Sequence, residues 1–512
     1  MPETDPPLTL SFPPGIRRDG GPLEGQECTD AQWTTFDRGI PRKMRGFIKI
    51  TDLLDGPVYG MHTQPIPSYT EVHTGTADAV ERMVITPSYA VTVPVPRTPA
   101  AFVSSPNNLW NFEVMYDATG VSSVILAHAV PSLLDITSET QRPIYYGPTN
   151  STSQLVNTNI PTAAGVCGGI ASLPPYMFVF CKNGYITWTA PNNPLSVATA
   201  DGGGGPNGVR VATTKIVHGL QIRGGPGGSP AGLFWSLNAV IKATFVGDPL
   251  VFSFDALATE TTILSTRSPV PYDGSVYWIA TDRFMMYNGS VREVPNLLNK
   301  DWFFDNLNWS QRQKVFGFKV PGKGEIWWCF PFGNATVCTH AIIYNTRYNV
   351  WYDTVLPNGG RTSGFAPIFY PYPLLTGATP APSSGYRLWQ HEFGIDEVED
   401  GQVRAVRSYF ETTPLGLSGD QQPSNRSLQI SMIEPAFKQT GPMTVTIGGS
   451  FTPKGPVTYS VPFTFEPDTQ VVTPKQTRRL LTLTFESNVA GGNFELGKTK
   501  AHLRATDGRT TG

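Results

Sequence analysis

Charge, cysteine and recognisable catalytic motifs are what this 512-residue chain has least of. Charged residues make up 15% of it and nearly cancel, leaving a formal net charge of −2 at pH 7. A general nucleic-acid coat carries a visible basic excess, so that class is excluded, whereas a conduit through which DNA slides is not. The five cysteines, Cys28, Cys167, Cys181, Cys329 and Cys338, are odd in number and include no Cys-x-x-Cys pair. They read as buried thiols rather than as a disulfide framework or a zinc site. No apolar run is long enough to span a bilayer, and Met1-Pro-Glu-Thr-Asp-Pro-Pro lacks the basic and apolar regions of a signal peptide. The expectation is a chain neither exported by such a peptide nor embedded in a membrane by its own sequence. With 51 Gly and 47 Pro it breaks helices too often for a bundle, yet 40% hydrophobic residues suffice for large cores.

Chemistry is equally sparse. The chain has no His-Glu-x-x-His, nucleophile elbow, Walker loop or dinucleotide fingerprint. The tract Gly202, Gly203, Gly204, Gly205 lacks the lysine and following helix of a phosphate cradle and reads as a flexible loop. Asp396, Glu397, Glu399 and Asp400 form the densest acidic group, and of these Asp396, Glu399 and Asp400 are candidate calcium ligands, against the simpler reading of a solvated hairpin turned by Asp400-Gly401. No pair of carboxylates stands out for glycoside hydrolysis. Neither a catalytic residue nor a cofactor is expected.

What the chain does have is aromatic strands. Between Tyr277 and Asp353 the runs Tyr277 to Gly289, Glu325 to Pro331, Ala341 to Asn345 and Val350 to Asp353 follow closely, ended by Asn-Gly and similar pairs that tolerate a tight turn. Trp188, Trp235, Trp278, Trp327, Trp351 and Trp389 each sit late in such a run. The first three gaps match the roughly 40–50 residues of a four-stranded blade, and the next two are shorter. A long series of strands must hide its edges, and radial repetition does so. The fold class read from this is all-β, a β-propeller with degenerate blades and long insertions, in preference to a sandwich or barrel. Residues 295–314 are the one helical stretch expected.

Residues 1–50 form a leader with a basic cluster of Arg38, Arg42, Lys43 and Arg45, placed at subunit interfaces. Residues 51–425 form the propeller with insertions, its part up to about 164 weakly patterned. Gly202 to Gly205 and the tract containing Gly224 and Gly225 read as exposed loops, as does the Pro-rich 366–382. From 426 to 512 the alternation is cleaner, with Leu428, Ile430 and Met432 on one face and Leu481, Leu483 and Phe485 on another. That region is either a C-terminal β-sandwich or the source of strands that close the propeller.

Several stretches are familiar as residues: Phe12-Pro-Pro-Gly-Ile-Arg-Arg-Asp-Gly with Gln32 to Met44, Pro175 to Pro194, Ala231 to Asn296, Arg312 to Tyr352, and Leu388 to Gly401. Through them, and through Glu486-Ser-Asn and Leu496-Gly, most of the chain resembles the β-propeller tail proteins of short-tailed bacteriophages, including the nozzle proteins of the distal tail. The resemblance implies a non-enzymatic virion protein, made in the host cytoplasm and assembled as a homo-oligomeric, hexameric ring around the DNA channel. Its implied partners are portal and adaptor proteins, tail fibres, DNA passing without sequence-specific binding, and the host envelope. The glycine tracts would then be channel or gating loops. The competing expectation is a host-receptor or glycan-binding protein that presents its loops at the periphery.

Overall fold

The computed structural model describes residues 7–506, apart from 22–23, 89, 107, 118, 120–121, 131–138, 225–227, 369, 383–384, 416–426 and 453–454. These residues are nearly all β, arranged in ten sheets, with a short helix at Lys300–Asn306 and a 3-10 turn at Trp309–Lys314. Both turns fall inside the one stretch expected to be helical. No helix among the described residues is long and apolar enough to cross a membrane.

Seven sheets follow one another along the chain. Six are four-stranded antiparallel meanders spanning 61–96, 109–157, 166–210, 216–259, 270–293 and 316–355. The seventh has three strands from its own stretch, Arg361–Phe365, Leu374–Pro380 and Tyr386–His391. Its fourth place is filled from the far end of the chain by Phe47–Leu54, which runs antiparallel to Tyr386–His391 and pairs Gln390 with Ile48. Glu397–Glu399 then adds parallel to that strand. Neighbouring sheets share hydrophobic cores, because the inner strands of each meander bury apolar side chains against the next. Trp110 and Ile125 lie between the first and second sheets, Met177 and Leu126 between the second and third, and Phe178 and Phe252 between the third and fourth. Trp235 and Trp278 join the fourth and fifth at 5.4 Å, and Phe284 and Trp328 the fifth and sixth. Leu374 and Leu388 of the seventh sheet share a core with Met61 and Val72 of the first, so the packing is cyclic. No individual sheet closes on itself.

The remaining three sheets interleave the two ends of the chain. Leu8–Thr9, Asp30–Gln32 and Thr34–Thr35 pair respectively with Lys500–Thr506, Ser408–Glu411 and Arg42–Lys43, and Arg42 in turn pairs with Glu495. Their core is continuous with the sixth and seventh sheets: Trp33, Phe36 and Phe47 meet Trp327, Tyr352 and Trp389 on one side, and Ile447, Leu483 and Phe485 extend the cluster on the other. The strand completing the seventh sheet thus comes from 47–54 and not from the C-terminal region.

Three expectations need correction. The Gly202 to Gly205 tract is folded back rather than exposed. Gly203 and Gly205 are buried, and the amides of Gly203, Gly204 and Gly205 donate to the carbonyls of Ala198, Trp188 and Val197. Within the Pro-rich 366–382, residues Leu374–Pro380 form the second strand of the seventh sheet, because Leu374 and Leu375 reach the core. In Ser427–Glu434 the register shifts between Ile430 and Met432, so Ile433 rather than Met432 is buried with Leu428 and Ile430. A bulge adds one residue and turns the following side chains to the opposite face. Gly225 lies outside the described residues.

Candidate functional site

Alternation along a strand turns every second side chain the same way. In the first strands of four of the sheets this turns a polar set toward one cavity. In Met61–Ile66 it is His62, in Leu109–Tyr116 Asn111 and Glu113, in Ile216–Gln221 His218, and in Phe316–Val320 Lys319, each half-buried by its neighbours. Together with Gly168 and Gly169, Arg267 and Ser363, they line a cavity of about 410 Å³ to which all seven sheets, or the segments leading into them, contribute. Its apolar wall includes Trp110, Phe112, Phe316, Phe318 and Phe365. Gly168 is required by close approach, since a Cβ there would sit 1.9 Å from the Ile216 carbonyl of the next sheet.

The polar groups of this cavity are held from behind. The Asn111 carboxamide oxygen accepts from the Ile170 amide at 2.8 Å, tying the second sheet to the third. The Arg267 guanidinium donates to the carbonyls of Thr362 at 3.0 Å and Lys314 at 2.8 Å, and lies 5.6 Å from the Phe316 ring. The Lys319 ammonium donates to the Pro271 carbonyl at 3.1 Å. Burial shapes the charges. It lowers the imidazoles of His62, His128 and His218 to about 4, and raises the Glu113 carboxyl to about 8 against the opposing hydrogen bonds from Ser172 and Asn111. At pH 7 the imidazoles are neutral and Glu113 is protonated. Arg267 and Lys319 are both lowered by burial. None of these cavity residues carries a sequence signature. The legible signal was a polar residue at an alternate position of a first strand, which looks the same as a solvent-facing one.

The residues singled out from sequence lie elsewhere. Arg38 donates to Glu495 at 2.7 Å, and Arg42 pairs with Asp37 at 2.8 Å and with Glu495 at 3.3 Å. Lys43 is buried, donates to the Gly492 carbonyl at 2.7 Å, and is lowered to about 8 by burial against the opposing charge of Asp396. Arg45 is exposed, and its carbonyl accepts from the Trp33 indole. The basic cluster is therefore partly an internal clamp between the leader and the C-terminal strands. Of the acidic candidates, Asp396 accepts from the Gly491 amide at 2.7 Å, Glu399 is held by Arg387 at 2.6 Å and Arg404 at 2.9 Å, and Asp400 pairs with Lys49 at 2.6 Å. Asp400, with φ of 51°, and Gly401 turn the hairpin between Glu397–Glu399 and Gln402–Arg404. Among the described residues, no group of three or more His, Cys, Asp or Glu is placed to hold a metal ion. All five cysteines are buried and unpaired. Gly202 to Gly205 connect the third and fourth strands of the third sheet, away from the first strands that line the cavity.

A second polar constellation joins the leader to the sixth sheet. The buried Glu325 carboxylate accepts from the Thr35 hydroxyl at 2.7 Å, the Tyr352 hydroxyl at 2.7 Å and the Trp327 indole at 2.8 Å. Arg18 reaches Asp353 at 2.9 Å and Asp30 at 2.7 Å.

No family model matches the chain, and no curated protein matches it. Among solved structures, the crystal structure of the computationally designed Ika8 protein aligns with 74% of this chain and 99% of its own, at 12% sequence identity and a TM-score of 0.34.

Proposed function

We propose that the seven sheets are the blades of a β-propeller sealed by Phe47–Leu54, and that the chain is a structural subunit of a short-tailed phage tail. In this reading it repeats around a ring through which DNA is retained and then released. The observation that carries the proposal is the cyclic packing of the sheets with both chain ends locked onto it, the build of a stiff scaffold rather than of an opening and closing enzyme. The stretches that resemble phage tail proteins also converge, for Thr35, Glu325, Trp327 and Tyr352 come from two of them and meet in one buried cluster.

The axial cavity does not serve as the DNA path. At about 410 Å³ it has the size of a small-molecule site. The duplex would pass between subunits, along the axis of a ring closed by heterologous contacts. Near-neutral charge suits a wall that must not grip the phosphate backbone. Native mass spectrometry of the purified chain, with immunogold labelling of short-tailed virions by an antibody raised against it, tests the reading. A closed ring and label at the tail are expected. A chain that stays monomeric and labels no tail overturns it.

A further inference from the structure

We propose that the axial cavity is a binding site for a small organic anion with a flat apolar body, of the size and chemistry of an aromatic carboxylate. The proposal concerns the isolated subunit and does not depend on the tail reading.

Size comes first. At roughly 30 Å³ per water in the liquid, about 410 Å³ holds on the order of fourteen waters, or an organic molecule of about ten heavy atoms with room to spare. Shape follows from the wall. Trp110, Phe112, Phe316, Phe318 and Phe365 contribute aromatic surface to it.

Charge sets the sign of the ligand. Arg267 and Lys319 are the cationic side chains of the lining, and Glu113 is its single acidic one. Two basic side chains stand against one carboxyl, which burial pushes toward its neutral form, and the lining is net positive. Some buried cations here have carboxylates beside them, as Arg18 has Asp353 and Lys323 has Glu392, and others, Arg97 and Arg361 among them, are held by backbone carbonyls. Arg267 likewise spends its donors on two backbone carbonyls, and its Nε is buried with no hydrogen-bond partner among the described residues. His128 donates from Nδ1 to the Pro143 carbonyl at 3.1 Å, which leaves its neutral Nε2 an acceptor, so the free donor of the lining is Arg267 Nε. Buried donors without acceptors cost stability unless something supplies the acceptor. A carboxylate in the cavity supplies it, and the protonated Glu113 is one more donor toward it.

The test uses three fluorinated rings of equal size in ¹⁹F NMR titrations of the full chain: 4-fluorobenzoate, 4-fluorobenzylammonium and fluorobenzene. Saturable one-to-one binding of the benzoate is expected, with the ammonium bound at least about tenfold more weakly or not at all. Lys319→Gln should weaken the benzoate by about tenfold or more while leaving fluorobenzene nearly unchanged, because it removes charge and leaves the aromatic wall. Equal binding of the two ions to the unmodified chain, or no saturable binding of the benzoate, overturns the proposal without relying on any variant. A folded Lys319→Gln chain that binds the benzoate as well as before overturns it too.

Discussion

Removing the Tyr352 hydroxyl should loosen the join between the leader and the sixth sheet by an amount the structure sets. Glu325 and Tyr352 have no measurable exposure and Thr35 is 2% exposed, so a donor lost here cannot be replaced cheaply by water. Thr35 and Tyr352 both donate to the same carboxylate oxygen at 2.7 Å, and Trp327 serves the other at 2.8 Å. A hydrogen bond to a charged group contributes about 1.5–3 kcal/mol. Tyr352→Phe, which keeps the ring packed 5.4 Å from Phe36, should therefore cost about that much, and Thr35→Val a similar amount. The two donors share one acceptor and lie 3.2 Å apart, so the double variant should depart from additivity by at least about 0.5 kcal/mol. Urea midpoints for the four chains, followed by tryptophan fluorescence, form the cycle. A Tyr352→Phe chain within about 0.5 kcal/mol of the parent, or strict additivity, would refute the claim that this carboxylate pins the leader.

Other consequences can be measured alongside. Gly203→Ala places a Cβ 2.5 Å from the Val197 backbone and should destabilise by about 1–3 kcal/mol, whereas in a free loop it would stabilise slightly; a raised midpoint would return that tract to the exposed loops. Asp19→Ala removes the carboxylate that accepts from the amides of Asp301 at 2.9 Å and Trp302 at 2.7 Å at the start of the Lys300–Asn306 helix, and should cost about 0.5–2 kcal/mol by the same assay; no loss would show that the distant cap contributes nothing. Stability should peak near pH 6.5. His62, His128, His218 and His340 fall to about 4 in the fold, so their contribution is present above pH 6.5 and is lost as pH falls toward 4. Glu113 and Glu81 rise to about 8 and 7, so theirs is full below pH 4.5 and is lost as pH climbs to those values. Urea midpoints at three pH values, highest at the lowest pH, would contradict this balance. For assembly, the ring reading expects Arg45→Glu, which reverses one of the two exposed members of the basic cluster, to weaken ring formation in native mass spectrometry while moving the urea midpoint less than Arg42→Glu, which breaks the pairs with Asp37 and Glu495.

The tryptophan spacing follows the sheets where successive sheets place one tryptophan on the same strand. Trp235, Trp278 and Trp327 lie on the second strands of the fourth, fifth and sixth sheets. The period breaks next because Trp351 belongs to the fourth strand of the same sheet as Trp327, and Trp389 to the third strand of the seventh. The stretch 51–164 looked weakly patterned and holds two full sheets. Its pattern was hidden because buried positions carry polar residues. In Tyr69–Gly75 and Val80–Ile85, Glu71, His73 and Arg82 are buried, Arg82 pairs with Glu71, and a fully buried Arg97 reaches His73 Nε2 at 3.1 Å. A hydropathy pattern records such residues as surface. The acidic hairpin was legible, since Asp400-Gly401 is a turn by local chemistry alone. The cavity was not, because its residues meet only when seven separate strands are brought side by side.

The same reasoning explains how a segment so distant in sequence can complete the seventh sheet. Lys49 pairs with Asp400 across 351 residues, and long closures invite the objection that their entropy is prohibitive. Closure entropy grows only with the logarithm of length, about 0.6 kcal/mol per doubling, so a loop of this size costs about 3 kcal/mol more than a ten-residue hairpin. Phe47 and Leu54 on the closing strand are fully buried, and each contributes about 1.5–3 kcal/mol. Two side chains therefore offset the extra length, before the ladder to Tyr386–His391 is counted. The rest of the leader continues into the C-terminal sheets through Trp33 and Phe36, whose core is shared with Trp327 and Trp389. A force applied to the C-terminal strands is thus carried into the sixth and seventh sheets by packed aromatic rings rather than through a linker.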